Sequence, residues 1–252
     1  MKDHIINWKD GTSTFWDEKT NRVVTKKRIK VLELFAGSRS IGKVCNELNY
    51  QVFSSDINDF GGIDYVVDIL NFDVNKIPFV PDILFSSPPC TTYSVASIGR
   101  HWVKGQVFTP KTDSARLGIE LLDATLKLID YYLKLNPNLV WYIENPRGKM
   151  RKSPKLQPTD NTLFEVKNPI IRHTVTYCQY EMDKEPNDRR MKPTDIFTNN
   201  PNLKPKPMCK NGDSCHASAP RGSRTGGTQG LKNNYERSKI PSQLCYELLT
   251  SL

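Results

Sequence analysis

Apolar residues along this chain fall mostly in short continuous runs bounded by turn-forming residues, with a few longer stretches at helical spacing. A short apolar run between Gly, Pro, Asn or Asp reads as a buried strand. Lys30–Phe35 is the first such run, followed by Tyr50–Ser55, Tyr65–Val67, Asp82–Phe85 and Leu139–Ile143. Between them, Ile41, Val44, Cys45 and Leu48 mark one face of a helix. Leu117, Leu121, Ala124, Leu128, Tyr131 and Tyr132 mark a longer one, predicted from an Asp113 N-cap to Leu135 and stopped by Asn136-Pro137-Asn138. A last helix, Pro241–Leu252, is apolar at Leu244, Cys245, Leu248 and Leu249. Strands alternating with helices predict an α/β fold around a parallel sheet. Residues 1–28 are polar and aromatic and predict an N-terminal extension, a hairpin about Asp10-Gly11, ending in Lys26-Lys27-Arg28.

The chemistry-bearing residues stand at strand ends, where open α/β sheets bind ligands. After the first strand, Ala36-Gly37-Ser38 forms the turn into a helix, and Gly37 lets backbone approach a ligand. The spacing is not G-x-G-x-x-G, which suits a cofactor without a pyrophosphate. Asp56 and Asp68 close the next two strands, where carboxylates accept bonds from ribose hydroxyls; each is equally suited to capping a turn. Pro88-Pro89 after the fourth strand makes a stiff turn that carries Cys90. Cys90 is there either a nucleophile or a buried, inert thiol. Glu144-Asn145-Pro146 closes the fifth strand, and a neighbouring pair of strands would bring Cys90 and Glu144 to one edge. That pair suits covalent catalysis with acid assistance. Residues 91–112 form a long polar loop, a candidate lid or disordered segment.

Charge divides the chain. Residues 1–145 hold 17 Lys+Arg against 17 Asp+Glu, while residues 146–240 hold 19 against 9. A basic second half suits a polyanion, and nucleic acid is the better reading over a merely basic surface. The six cysteines are too few and scattered for a disulfide framework, which places the chain in a reducing, cytoplasmic setting. No apolar run reaches the length of a membrane span, and the start does not read as a signal peptide.

FAGSRSIG from Phe35, SSD at Asp56, Asp68-Ile69, PPCTTYS at Cys90 and ENP at Glu144, in this order, resemble the DNA cytosine C5-methyltransferases. The resemblance is close over residues 30–147 and loose beyond. It implies a Rossmann-like S-adenosylmethionine-dependent methyltransferase fold with a small, loop-rich C-terminal recognition region. The implied activity is methylation of carbon 5 of cytosine in double-stranded DNA, through a covalent cysteine adduct on a flipped base. The same chemistry on tRNA and a catalytically inactive DNA-binding protein are the alternatives. Cys90 is the implied nucleophile, Glu144 its partner, and Arg190 the nearest match to the family's arginine element, with Lys192 second. The implied cofactor residues are Phe35, Ala36, Gly37, Ser38, Asp56, Ile57, Asp68, Ile69 and Pro88. Ser94, Arg100, Arg147, Lys192, Arg221 and Arg224 are candidate nucleic-acid contacts. A monomer is the favoured state.

The sequence departs from the family at Pro146, where Val is usual, and in lacking a full Gln-x-Arg-x-Arg element. The expected organisation is an extension over 1–28, a catalytic domain over 29–196, a recognition region over 197–236 and a returning helix over 237–252. So short a recognition region implies a short target site. It contains Cys209-x5-Cys215-His216, with Cys178 upstream just before an expected hairpin; these four are candidate zinc ligands, or else ordinary loop residues. The Gly- and Arg-rich stretch from Pro220 to Gly230 suits a groove-lying segment or a flexible linker.

Overall fold

The computed structural model describes residues 6–7, 12–17, 21–157, 169–185, 188–219 and 233–252. The candidate contacts Arg221 and Arg224 lie outside the described residues. A small antiparallel meander comes first: β1 (Ile6–Asn7), β2 (Thr12–Asp17) and β3 (Arg22–Lys27). The main sheet follows with β4 (Lys30–Leu34), α1 (Ser40–Glu47), β5 (Gln51–Asp56), β6 (Tyr65–Val66) and β7 (Ile83–Ser86). It continues with α2 (Ile98–His101), α3 (Asp113–Leu135), β8 (Val140–Pro146), β9 (Ile171–Thr176) and β10 (Pro193–Thr198). Two helices, α4 (Asn234–Ser238) and α5 (Ser242–Thr250), close the chain.

The seven strands of the main sheet run in the order β6-β5-β4-β7-β8-β10-β9. β4 through β8 are parallel, and β10 inserts antiparallel between β8 and β9. This is the α/β fold around a mostly parallel sheet that the strand pattern predicts, and the Rossmann-like methyltransferase fold that the resemblance implies. The order reverses between β4 and β7, so the carboxyl ends of those strands open a crevice.

Side chains of a strand alternate between the two faces of its sheet. Leu32, Leu34, Leu84, Trp141 and Ile143 join the apolar cluster under α3, with Leu122, Leu126, Ile129 and Leu133. Val31, Ile83, Phe85 and Tyr142 face the other cluster, with Ile41 and Val44 of α1 and Leu244, Leu248 and Leu249 of α5. By the same alternation Glu144 shares a face with Tyr142, and Asn145 shares a face with Ile143. That parity decides what each can reach.

Two expectations are corrected here. The N-cap of α3 is Thr112, whose hydroxyl accepts from Ala115 N–H at 3.3 Å; Asp113 lies inside the first turn and pairs with Arg116. Residues 91–112 are folded rather than open. Tyr93 and Trp102 are buried with their rings 5.6 Å apart, Phe108 stacks beside them, and Trp102 Nε1 donates to the Thr92 carbonyl at 2.7 Å. Gly148 passes so close that a Cβ there would overlap the Tyr93 carbonyl oxygen. Among the described residues no helix is long and apolar enough to cross a membrane.

Glu33 is the unusual core residue. It is 2% exposed and sits on β4 facing α1. Arg39, the N-cap residue of α1, makes no side-chain cap bond. Glu33 replaces it, accepting from Ile41 N–H and Gly42 N–H at 3.1 Å each and from Ser54 Oγ at 3.3 Å. Burial pushes its carboxyl up to about 7, against the lowering effect of those bonds and of Arg39. The folded chain therefore holds this proton more tightly than the unfolded chain does. Its contribution is complete below about pH 4.5 and is lost as pH rises to about 7. We predict that Glu33→Gln, with one acceptor fewer, is least stable relative to the native protein near pH 4.5, and that the gap narrows by pH 7. Urea midpoints of both proteins across this range test it; a gap independent of pH would contradict the assignment.

Candidate active site

The turn after β4 builds one wall of the crevice. Phe35, Gly37 and Arg39 all take left-handed backbone, with φ of 54°, 48° and 54°. For a residue with a Cβ this costs roughly 1–2 kcal/mol, so the surroundings must hold it there. Ala36 N–H donates to the Ser55 carbonyl at 3.0 Å and Gly37 N–H to Asp56 Oδ2 at 2.9 Å. Ser87 Oγ donates to the Phe35 carbonyl at 3.2 Å, which ties the turn to β7.

Behind the turn lies a cavity of about 230 Å³ lined by Leu34, Phe35, Ser55, Asp56, Ile57, Val67, Asp68, Ile69, Pro89, Leu117 and Leu121. Five expected cofactor residues, Phe35, Asp56, Ile57, Asp68 and Ile69, line it. Ala36, Gly37 and Ser38 shape the turn beside it instead. Pro88 does not line it: Pro88 is buried behind the crevice and its neighbour Pro89 faces the cavity. Both carboxylates also organise backbone. Asp56 Oδ1 accepts from Asn58 N–H at 2.9 Å, and Asp68 Oδ1 accepts from Leu70 N–H at 3.0 Å. Leu117 and Leu121 of α3 also line it, although their helical spacing marks them only as core. The walls are mostly apolar, with acceptors at the ends of two neighbouring strands. That composition fits a flat ring and a hydroxylated sugar.

Cys90 follows Pro89 at the mouth of the crevice and is the one exposed cysteine of the six. Its carbonyl accepts from Tyr93 N–H and Ser94 N–H, both at 3.0 Å, so the turn bearing it is closed on itself. Asn145 Nδ2 donates to the Pro88 carbonyl at 2.8 Å, joining the ends of β7 and β8. Glu144, 5% exposed, reaches the other side of the sheet, as its parity requires. Tyr177 Oη donates to Glu144 Oε1 at 2.8 Å, and Lys192 Nζ stands 3.8 Å from the same oxygen. Lys192 also lies 4.5 Å over the Tyr177 ring and donates to the Arg237 carbonyl at 3.0 Å. The thiol and the carboxylate are electrostatically coupled. Crowding by the cleft walls raises the Cys90 thiol most, Glu144 raises it further and Lys192 lowers it.

Lys192 is thus turned inward, away from the surface contact expected of it. It is the cation at Glu144. Arg190 is half-buried in the loop after Tyr180, where its guanidinium donates to the Arg189 carbonyl at 3.2 Å and its N–H to Glu181 at 3.4 Å. Tyr177 was not foreseen; nothing in its local pattern marks it, since only the β8–β10 pairing brings it to Glu144. Of the expected nucleic-acid contacts, Arg100 and Arg147 are exposed, and Arg147 packs on Met208 at 3.7 Å. Ser94 is half-buried and bonds Ser97 Oγ at 3.1 Å. The four candidate metal ligands come together: Cys178, Cys209, Cys215 and His216 place their donor atoms within 4.8 Å of one another. Cys178 sits just after β9, in the connection to β10, and not before a hairpin.

No family model and no curated protein matches this sequence. Among solved structures, it is similar to the Dnmt2 methyltransferase of S. pombe, at 17% identity and a TM-score of 0.39, over 68% of this chain and 49% of that one. It is similar to the Entamoeba histolytica methyltransferase EhMeth at 16% identity and a TM-score of 0.43, over 73% of this chain and 57% of that one. A DNMT2 variant from Spodoptera frugiperda matches at 18% identity and a TM-score of 0.40, over 72% and 53%. The chain spans about half the length of these three solved structures.

The coupling around Cys90 has a direct consequence. A neighbouring carboxylate disfavours the thiolate and a neighbouring ammonium favours it. Glu144→Gln should therefore lower the pH at which Cys90 becomes reactive, and Lys192→Met should raise it. Iodoacetamide labelling of Cys90 against pH, read by peptide mass, distinguishes the three proteins. Superimposable profiles would show that neither charge acts on the thiol.

Proposed function

We propose that this protein transfers a methyl group from S-adenosylmethionine to carbon 5 of cytosine in DNA. The observation that carries the proposal is the pairing of an exposed thiol, Cys90, with a buried carboxylate, Glu144, beside a cavity suited to a nucleoside. Phe35, Asp56, Ile57, Asp68 and Ile69 are the residues that hold the cofactor, with Leu117 and Leu121 closing the apolar side. S-adenosylmethionine bound there supplies an electrophilic methyl group.

Carbon 5 of cytosine is a poor nucleophile, and the protein's own residues change that. The Cys90 thiolate adds to carbon 6, and the ring electrons shift onto carbon 5 and ring nitrogen 3. As a carboxylic acid, Glu144 donates to nitrogen 3 and accepts from the exocyclic amine, stabilising the adduct. Tyr177 occupies Oε1 and so orients the carboxyl, leaving Oε2 toward the ring. Lys192, beside both groups, supports the thiolate that attacks and is later expelled. Once carbon 5 has taken the methyl group, loss of its proton restores the double bond and releases Cys90. A base inside a duplex cannot reach this crevice, so the target must be flipped.

DNA is favoured over RNA by the family resemblance, and the basic half supplies phosphate contacts for either. We take residues 197–236 as the recognition region, appended to a catalytic unit over 29–196. Transfer of labelled methyl groups to duplex DNA and to tRNA, side by side, tests the substrate. Methylated DNA is expected; transfer to tRNA alone would overturn the assignment. Glu144→Gln should lower the rate at least about a hundredfold, the scale of losing one transition-state contact. An unchanged rate would remove Glu144 from the mechanism.

A further inference from the structure

Where the connection between β9 and β10 meets the segment that follows β10 lies a second constellation that the methyl transfer does not use. We propose that Cys178, Cys209, Cys215 and His216 bind one structural zinc ion, and that this ion fixes the turn that positions Tyr177 against Glu144.

The distances fit a closed tetrahedral site. Zinc with sulfur at about 2.3 Å and nitrogen at about 2.0 Å sets sulfurs about 3.8 Å apart and each about 3.5 Å from the nitrogen. Cys178 and Cys215 sulfurs are 3.8 Å apart and those of Cys178 and Cys209 3.1 Å. His216 Nδ1 is 3.8 Å from Cys209 Sγ and 3.3 Å from Cys215 Sγ. All six cysteines are free thiols, and the shortest of these sulfur separations is well beyond a bonded pair at about 2.05 Å. Three thiolates and one imidazole suit zinc over harder cations. His216 is buried, and its Nε2 has no hydrogen-bond partner among the described residues. The ring is therefore not held by that nitrogen; what its other nitrogen faces is the sulfur cluster.

The surroundings need such a staple. Among residues 199–219 the buried apolar side chains are Leu203 and Cys209 alone, too few to order the segment by burial. The same segment clamps the turn that carries Tyr177. Cys209 N–H donates to Thr176 Oγ1 at 3.1 Å, Gln179 Nε2 reaches Cys215 Sγ at 3.3 Å, and Lys206 N–H donates to Tyr180 Oη at 2.7 Å. Tyr177 precedes the first ligand and donates to Glu144. Its role there is positioning, and that part rests on the proposed reaction; the metal site does not.

The full chain, purified without chelator, should carry about one equivalent of zinc by elemental analysis. Exchange with cobalt(II) should give tetrahedral d–d bands and a thiolate-to-metal charge-transfer band. Cys209→Ser should weaken zinc at least about a hundredfold, the upper end of what losing even an outer-shell partner costs. Cys215→His, which keeps four ligands, should retain cobalt with a weaker charge-transfer band, so misfolding of one variant does not decide the matter. Stripping the metal should shift the pH profile of Cys90 alkylation, and Tyr177→Phe, still carrying its zinc, should shift it the same way. Metal-free protein with a Cys178–Cys209 disulfide, or cobalt without a charge-transfer band, would overturn the site. A Cys90 profile indifferent to both treatments would overturn the positioning of Glu144. Zinc content is read without any methyl transfer, so failure of this site and failure of the reaction are told apart.

Discussion

The hydrogen bond from Asn145 Nδ2 to the Pro88 carbonyl is the constraint on which the site depends. It is buried, and it ties the end of β8 to the rigid turn after β7. The two prolines stiffen the turn but do not aim it. Asn145 aims it, and the strand's alternation then sends the preceding residue, Glu144, to the opposite face of the sheet. Cys90 and Glu144 are brought together this way by one short strand end and one amide. A neutral-to-neutral bond of this kind contributes only about 1 kcal/mol net, but leaving its buried partner unsatisfied costs more. Small energies thus fix large consequences for geometry.

Much of this was legible in the sequence because strand ends announce themselves. Lys30–Leu34, Gln51–Asp56, Ile83–Ser86 and Val140–Pro146 lie where apolar runs stop at Gly, Asp or Pro. The long helix ending at Leu135 is visible from its period and its Asn-Pro stop. What stayed hidden depends on long-range pairing. Tyr177 and Lys192 reach Glu144 only because β10 runs antiparallel between β8 and β9. Tyr177 has no local signal, and the family pattern pointed first to Arg190 and only second to Lys192. The folding of residues 91–112 was hidden for a similar reason: its polar composition says loop, while three aromatic rings among it make a small core. The cysteine and histidine cluster was legible as composition, and the fold brings its four donor atoms within 4.8 Å of one another.

The division of labour along the chain follows from these placements. The neutral first half builds the crevice and the core under it, where buried carboxylates, Glu144 at the strand end and Glu33 against α1, are set by side-chain and backbone donors. The basic second half returns one lysine into the site and leaves cations such as Arg147 outside it. Lys192 thus stands beside Glu144, while Arg147 stays exposed.

The central claim is that Cys90 becomes covalently bonded to a cytosine. A duplex containing 5-fluorocytosine tests it most directly, because fluorine at carbon 5 cannot leave as a proton does and the adduct persists. Incubated with S-adenosylmethionine and this DNA, the native protein should gain the mass of the strand, with the bond mapped by peptide mass to Cys90. Cys90→Ala should gain nothing. A native protein that methylates cytosine yet forms no trapped species, or a trapped species in Cys90→Ala, would contradict the account.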